Sequence, residues 1–599
     1  MKIKNILILA VLAGSFCACS DLINPALQNV QSEEQMFESP ASAQGILGYG
    51  YANLPFETKS TTDIATDDAV TNDLESSYRM MAQGTWTANN DPLSQWQARR
   101  IAIQYMNIFL KHVSDVKWSE NQGKQVMFVD KLTGEALALR ALNMYYLLRN
   151  HAGWTNDGQL LGVPIVLEPE GMGSDFNLPR ATFQECVEQI YADVDAAMKL
   201  LPYDYVKLTN DADVPAKYQA IGVTNAGEYS AVFGDTFRGR MSGRMAQTVK
   251  ALTALLAASP AYSKGTEVSY ADAADELAQV LNTIGGAAGI DPTGHKWFMD
   301  KTTLDALGSG ECPLEILWRG SMNNGTESYA FGLSQEADNY PPTLYGSGRI
   351  NPTQNLVDAF PMANGYPITD KVNSGYSESD PYAGRDPRLS EYVLYNGATY
   401  KDTQIITGTY STDNNGLGKI STSTRTGYYL RKLLRDDCNP NPSQQNPQKH
   451  YPVYIRYTEL FLGYAEAANE AWGPRGAGQN GFSAYDVIKA IRSRAGIGLN
   501  GGDPYLEECA SSTEKMRELI RNERRIELCF ENKRFWDMRR WELDLTVPAM
   551  GVKIEQVGGA LQFTEFEVEP RSYKPHMYYG PIPESEILKW SNLDQNKGW

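Results

Sequence analysis

The chain has 599 residues, 42% of them hydrophobic, with 54 Lys and Arg against 72 Asp and Glu and a formal net charge of -18. A mean hydropathy of -0.41 describes a solvated globular chain rather than a membrane-embedded or disordered one. The acidic balance and the lack of a long basic stripe exclude the footprint of a nucleic-acid binder, whose phosphate contacts need clustered Lys and Arg; the net charge identifies no ligand by itself.

The first segment, MKIKNILILAVLAGSFCACS, reads as a secretory signal. Lys2 and Lys4 precede an apolar run from Ile6 to Leu12 that is too short to span a bilayer, and small residues follow. Cys19, preceded by Ala18, is expected to become the lipidated N-terminus once residues 1–18 are removed. Cys17 fits less well behind bulky Phe16, and Phe16 also stands three residues before Cys19, where lipoprotein signals usually have Leu. A plain cleaved signal peptide is the alternative. Acyl chains anchor without spanning, at about 0.8 kcal/mol per buried methylene. Residues 19–38 are then a tether, residues 39–285 a helical N-terminal region, and residues 286–599 a C-terminal region.

Helical periodicity dominates the chain beyond the tether. VDKLTGEALALRALNMYYLLRNHAG (129–153) carries Leu and Tyr at helical spacing up to a stop at Gly153. ATFQECVEQIYADVDAAMKLLP (181–202) opens on a capping box, Thr182 with Glu185 three residues on. Residues 239–263 and 270–285 form an Ala-rich helix pair, and residues 452–473 and 482–496 another. Alanines at this spacing let helices approach closely, which suits stacked tetratricopeptide-like hairpins. The polar stretch from about Pro292 to Pro452 is too long for a structureless loop, so short strands and ordered turns are expected within it.

The block ERRIELCFENKRFWDMRRWELD (523–544) mixes carboxylates and arginines around Phe and Trp. Arg534 with Asp537, and Arg524 with Glu527, are three apart and can pair along a helix face. Ile526, Phe530, Phe535, Trp536 and Trp541 supply apolar material for burial.

Signals for catalysis or metal are weak. A glycosidase needs two carboxylates at a set separation, and with 72 acidic residues none is singled out. The five histidines are scattered without a His-Glu-x-x-His pair, and neither a Gly-x-Ser-x-Gly elbow nor a phosphate loop is present. STDNNGLGK (411–419) lacks the ligand spacing of a calcium loop. Beyond the signal, Cys186, Cys312, Cys438, Cys509 and Cys529 are widely spaced with no Cys-x-x-Cys, so neither a zinc cage nor a disulfide framework is suggested. Cys186 and Cys529 read as small core residues. No metal and no cofactor are expected.

A sugar binder needs exposed Trp and Tyr faces with Asp, Asn, Gln and Arg at the hydroxyl edges. Two stretches have that mixture. The first offers Asp67, Asp68, Asn72, Tyr78, Arg79, Trp86 and Trp96; the second offers Tyr329, Tyr340, Tyr345 and Arg349. Trp86, flanked by Thr and Asn, is the stronger of the two tryptophans, because Trp96 begins an apolar helical pattern.

The order of motifs along the chain carries a resemblance. CSDLINP at the lipidation cysteine is followed by ALRALNMYYLLRNHAG, GVPIVLEP, PRATFQECVEQIYADVDAAMKLLP and GRMSGRMAQTVKALTALLAASPAYS. Then come YIRYTELFLGYAEAANEA, IRSRAGI, IRNERRIELCFENKRFWDMRRWE and the terminal GPIPESEILKWSNLDQNKGW. Nearly the whole chain is thus similar to the SusD/RagB outer-membrane nutrient-binding lipoproteins. The resemblance implies a mostly α-helical SusD-like fold of four tetratricopeptide-like helix pairs, with long loops and a few short strands packed over one side. It makes the 523–544 block a structural helix rather than an active site, and it draws the ligand site from the region of Asp67 to Trp96. It implies a non-catalytic, cell-surface lipoprotein of the outer membrane that binds oligosaccharide or polysaccharide. Its partner would be a SusC-like, TonB-dependent transporter, with nucleic acid no partner. Peptide capture of the RagB type is the alternative, and a surface glycosidase a more remote one.

Overall fold

The computed structural model describes residues 33–57, 59, 61–320, 334–499 and 501–599. The signal segment with Cys19, and Tyr329, therefore lie outside the described residues. Among those described, no helix is long and apolar enough to cross a membrane.

The protein is mostly helical. Nine long helices and one short one organise the described residues: α1 Pro40–Ala52, α2 Trp96–His112, α3 Gln122–His151, α4 Phe183–Leu200, α5 Gly243–Ala258, α6 Tyr270–Asn282, α7 Tyr457–Trp472, α8 Ala484–Arg494, α9 Thr513–Glu527 and α10 Arg534–Arg540. From α2 onward each packs on its predecessor through to α7, which then holds both α8 and α9. Eight helices, α2 to α9, can thus be counted as four successive pairs. Thr182 and Glu185 form the expected capping box, and Ser269–Asp272 and Ser483–Asp486 repeat the device at α6 and α8.

Small residues set the spacing of this layer. Ala246, Ala254, Ala257 and Ala258 of α5 and Ala465, Ala467 and Ala468 of α7 are buried. A Cβ on Gly463 of α7 would stand 2.9 Å from Leu255 Cδ2, so a larger residue there would have to push that side chain aside. Leu255, Leu277, Leu460 and Ile488 fill the gaps in the same continuous apolar core, each contributing about 1.5–3 kcal/mol by burial.

The long polar stretch leaves the helical layer after α6 and rejoins it at α7, which packs directly against α6. Within it lie the short elements the sequence leads one to expect, around a second core of Phe360, Leu389, Tyr392, Ile405, Tyr428 and Tyr429. β1 Ala69–Thr71 pairs antiparallel with β3 Ile350–Pro352, and β2 Ile316–Arg319 with β4 Val453–Arg456. One pair is longer than expected: β5 Ala549–Val557 and β6 Ala560–Glu569 form a hairpin of nine and ten residues. Gly558 and Gly559 make its turn with φ of 59° and 88°, the double left-handed pair that a two-residue hairpin favours.

The charged block departs from its predicted pairing. Its helix ends at Glu527, and Phe530 (φ 63°) and Asn532 (φ 57°) turn the chain before α10 begins at Arg534. Arg534 therefore pairs not with Asp537 but with Asp67, at 3.0 Å, while Asp537 bonds Arg524 at 2.8 Å and Arg540 at 2.9 Å. Glu527 is held by Arg388, Arg456 and Arg494. Ile526, Phe530, Phe535, Trp536 and Trp541 are buried, as are Cys186 and Cys529. The block is a structural seam.

Candidate functional site

The turn between α9 and α10 also builds a cleft. Asn532 Oδ1 accepts the backbone N–H groups of Thr61 and Thr62 at 2.8 and 2.9 Å, and its own N–H donates to Asp63 Oδ2 at 3.0 Å. These bonds fix the segment after α1 against the turn. The end of α3, the turn Gly294–Met299 and the approach to β4 close the other sides. A cavity of about 110 Å³ results, reaching from the helical layer to the loop-rich core.

Aromatic faces and charged groups share its lining. Phe56 stacks on Tyr454 with ring centroids 4.4 Å apart and 10° between planes, and meets Trp318 edge-on at 5.2 Å. The Arg149 guanidinium lies 3.8 Å over the Trp536 ring and 4.3 Å over Tyr146, a double cation–π contact. Half-buried Trp297 and Tyr454 add apolar surface, while Glu57, Lys59, Gln335, Lys449 and His450 supply polar groups. Burial raises the Glu57 carboxyl above its ordinary range, although Arg149 nearby opposes the shift. Of the other two lining carboxylates, Glu459 is tied to Lys533 at 2.7 Å and Glu531 to Arg456 at 2.8 Å. Such a cleft can stack a planar or ring-shaped face and hydrogen-bond its edges.

Among the described residues, none of the ligand-binding candidates named from sequence lines this cleft, but the fold brings their two stretches together. Thr71 pairs with Ile350 across the β1–β3 ladder, and Asn72 Nδ2 donates to the carbonyls of Ser347 and Gly348 at 2.6 and 2.9 Å. Tyr345 stands exposed nearby with φ 64°, and half-buried Arg349 lies 3.7 Å from Asp73. Tyr78 is half-buried between two cores, and burial pushes its hydroxyl up to about 12. Arg79 bonds Glu569 at 2.6 Å.

Burial takes five candidates off the surface. Trp86 is 2% exposed, gives its indole N–H to Asp91 at 2.9 Å and meets Trp599 edge-on at 4.9 Å. Its polar flanks in sequence misled, because they belong to a tight turn over a core ring. Trp96 is 3% exposed against His151. Tyr340 is fully buried with its hydroxyl on the Arg435 carbonyl. Asp67 and Asp68 are buried against Arg525, at 2.9 and 2.5 Å. Burial alone would raise the Asp67 carboxyl, but Arg525 and Arg534 outweigh it and hold it well below the ordinary range. The lining residues Phe56, Trp297 and Tyr454 went unnoticed in sequence; the aromatic run of YPVYIRY before α7 was the available signal.

Two family models match the chain. One, described as the SusD family, covers residues 314–599. The other, described as starch-binding and associating with the outer membrane, covers residues 28–220. A SusD-like protein P2 of Formosa agariphila is 29% identical over 156 residues, which is 26% of this chain and 27% of that relative's length. A SusD-like protein of Bacteroides fragilis has a similar solved structure, with a TM-score of 0.69, 21% identity and coverage of 95% of this chain and 99% of that one. A SusD-like carbohydrate-binding protein from the same organism gives 0.65 at 20% identity over 93% and 99%. At these identities the solved structures speak for the fold.

Proposed function

We propose, from the premise that the chain belongs to the SusD/RagB family, that it is a non-catalytic cell-surface protein which captures glycan and delivers it to a SusC-like, TonB-dependent transporter. The observation that carries the glycan reading is the cleft. Half-buried Trp297 and Tyr454 offer apolar surface of the kind that sugar C–H faces stack on, and Glu57, Arg149 and Gln335 offer partners for hydroxyls. Glu459 and Glu531 are engaged in ion pairs, so the cleft lacks the two uncommitted carboxylates of a glycosidase, which supports binding without turnover. The carbohydrate-binding description of one Bacteroides fragilis relative points the same way.

Calorimetry against a panel of oligosaccharides and peptides, with product analysis of the same mixtures, tests this. Expected is glycan binding without products, weakened about tenfold by Trp297→Ala or Tyr454→Ala, the worth of one aromatic contact, and unchanged by Tyr345→Ala. Peptide binding alone would replace glycan by peptide as the ligand, and turnover by the pure protein would overturn the non-catalytic reading.

The delivery role requires anchoring through Cys19 and a barrel partner. Cys19→Ala is expected to move the protein from the membrane fraction to the soluble one; unchanged fractionation counts against the lipid anchor. Gentle detergent extraction of the wild-type protein should bring a large barrel protein with it, and its consistent absence would leave the chain a binder without a transporter.

A further inference from the structure

The sequence contains no spaced ligand pair, yet the fold gathers Glu336, Cys438 and His450 beside the cleft, each offering a ligand atom within 4.8 Å of the other two. Glu336 and Cys438 are fully buried, Cys438 is a thiol rather than half of a disulfide, and His450 also lines the cleft. Glu336 stands on the short helix Ser334–Asn339. Cys438 and His450 lie on either side of the bridge between Asn439 and Asn446, which brings their strands of chain together.

Hydrogen-bond accounting in this cluster calls for a positive centre. His450 Nδ1 lies 3.0 Å from the Gln448 carbonyl oxygen, which can only accept, so Nδ1 carries the proton. In a neutral imidazole Nε2 is then a bare lone pair, and it faces Glu336 Oε1, a second acceptor, at 2.9 Å. Two acceptors at that distance need a proton or a metal ion between them. Oε1 also accepts the Arg435 N–H at 2.9 Å, while the buried Oε2 has no hydrogen-bond partner. The Cys438 thiol offers its sulfur within 4.8 Å of the same carboxylate. The other nearby charges are committed: Lys401 donates to the Cys438 carbonyl, and Arg435 pairs with Asp305 and Asp437.

We propose that Glu336, Cys438 and His450 form a three-ligand site for a zinc-type divalent ion, with the fourth position left to water. Thiolate and imidazole together select zinc over calcium or magnesium, and three protein ligands with one open position is a known zinc arrangement. The carboxylate and thiolate neutralise the two charges of the ion, which suits a buried site. The Gln448 carbonyl orients His450 from behind, as metal-bound histidines require. Zinc bonds of about 2.0–2.3 Å in a tetrahedron place neighbouring ligand atoms roughly 3.3–3.7 Å apart, so His450 and Glu336 need to part by less than about 1 Å from their 2.9 Å contact. The site shares His450 with the cleft lining, but its metal titration does not depend on which ligand the cleft takes.

The test uses the full mature chain, stripped of metal and titrated with zinc chloride by calorimetry in buffers of different ionisation heat, and with cobalt chloride by absorption. Expected are one ion per chain, release of at least the Cys438 thiol proton on binding, and a thiolate-to-cobalt charge-transfer band. Cys438→Ser should abolish that band and weaken zinc by about 100-fold or more, and His450→Gln should weaken it similarly. A wild-type chain that takes up no stoichiometric zinc, or whose cobalt complex lacks the thiolate band, overturns the proposal. So does zinc binding unchanged in both variants, or magnesium bound as tightly as zinc. The wild-type titrations decide by themselves, so a variant that fails to fold does not shelter the idea.

Discussion

Arg388→Ala is expected to cost about 3–5 kcal/mol of stability, the range for removing one partner from a buried ion pair. The side chain is fully buried and bonds Asp386 at 2.7 Å and both Glu523 and Glu527 at 2.9 Å. Glu523 keeps Arg492 and Glu527 keeps Arg456 and Arg494 when Arg388 is removed, but Asp386 loses its guanidinium and remains buried. Burial disfavours the Glu527 charge, yet Arg494, Arg456 and Arg388 hold its carboxyl far below the ordinary range, so the network stays ionised at neutral pH. The measurement is the guanidinium-denaturation midpoint at constant slope. Arg475→Ala, at an exposed pair with Glu507, serves as the reference and should change stability by less than about 1 kcal/mol. Equal effects at the two positions would mean that the buried network does not hold the fold together.

His151 should make stability fall as the medium becomes acidic. Its Nδ1–H donates to the Pro581 carbonyl at 2.7 Å, and its Nε2 accepts the Gln95 N–H at 3.1 Å, so both nitrogens are committed to the neutral ring. Burial lowers its pKa from 6.5 to about 4. Between those values the unfolded chain binds a proton that the folded chain refuses, so stability rises with pH there and is complete above about 6.5. By pH 5 the loss amounts to about 2 kcal/mol. His295, lowered to about 4, adds to this trend, whereas Asp63, raised by burial to about 7, opposes it. The informative quantity is therefore a difference: His151→Gln should destabilise by about 2 kcal/mol more at pH 7.5 than at pH 5. A pH-independent penalty would show that the ring is not held neutral.

The helices were legible in the sequence because their signals are local. Thr182 with Glu185 marked the start of α4, Gly153 the end of α3, and alanine spacing the close packing of α5 and α7. The cleft was not legible, because it is assembled from ends and turns far apart in the chain: Phe56 follows α1, Trp297 sits in a short turn and Tyr454 precedes α7. Trp86 shows the converse error, since composition could not reveal that Trp599 and Tyr573 would close over it. Glu336, Cys438 and His450 follow no motif spacing, and only the folded loops bring them within reach of one another. Charge pairing across elements was hidden for the same reason; Arg534 reaches Asp67, not its neighbour three residues on.

The direct packing of α6 on α7 makes everything between Asn282 and Tyr457 a guest in a helical host. The entropy of closing so long an excursion rises by only about 0.6 kcal/mol for each doubling of its length. The host seam itself, with Leu277 of α6 against Gly463 of α7, is closed by host side chains. Surface loops of the excursion can therefore lengthen or shorten at small cost in chain closure, whereas the buried ties of its Arg388 to Glu523 and Glu527 fix where its core must stand on the host.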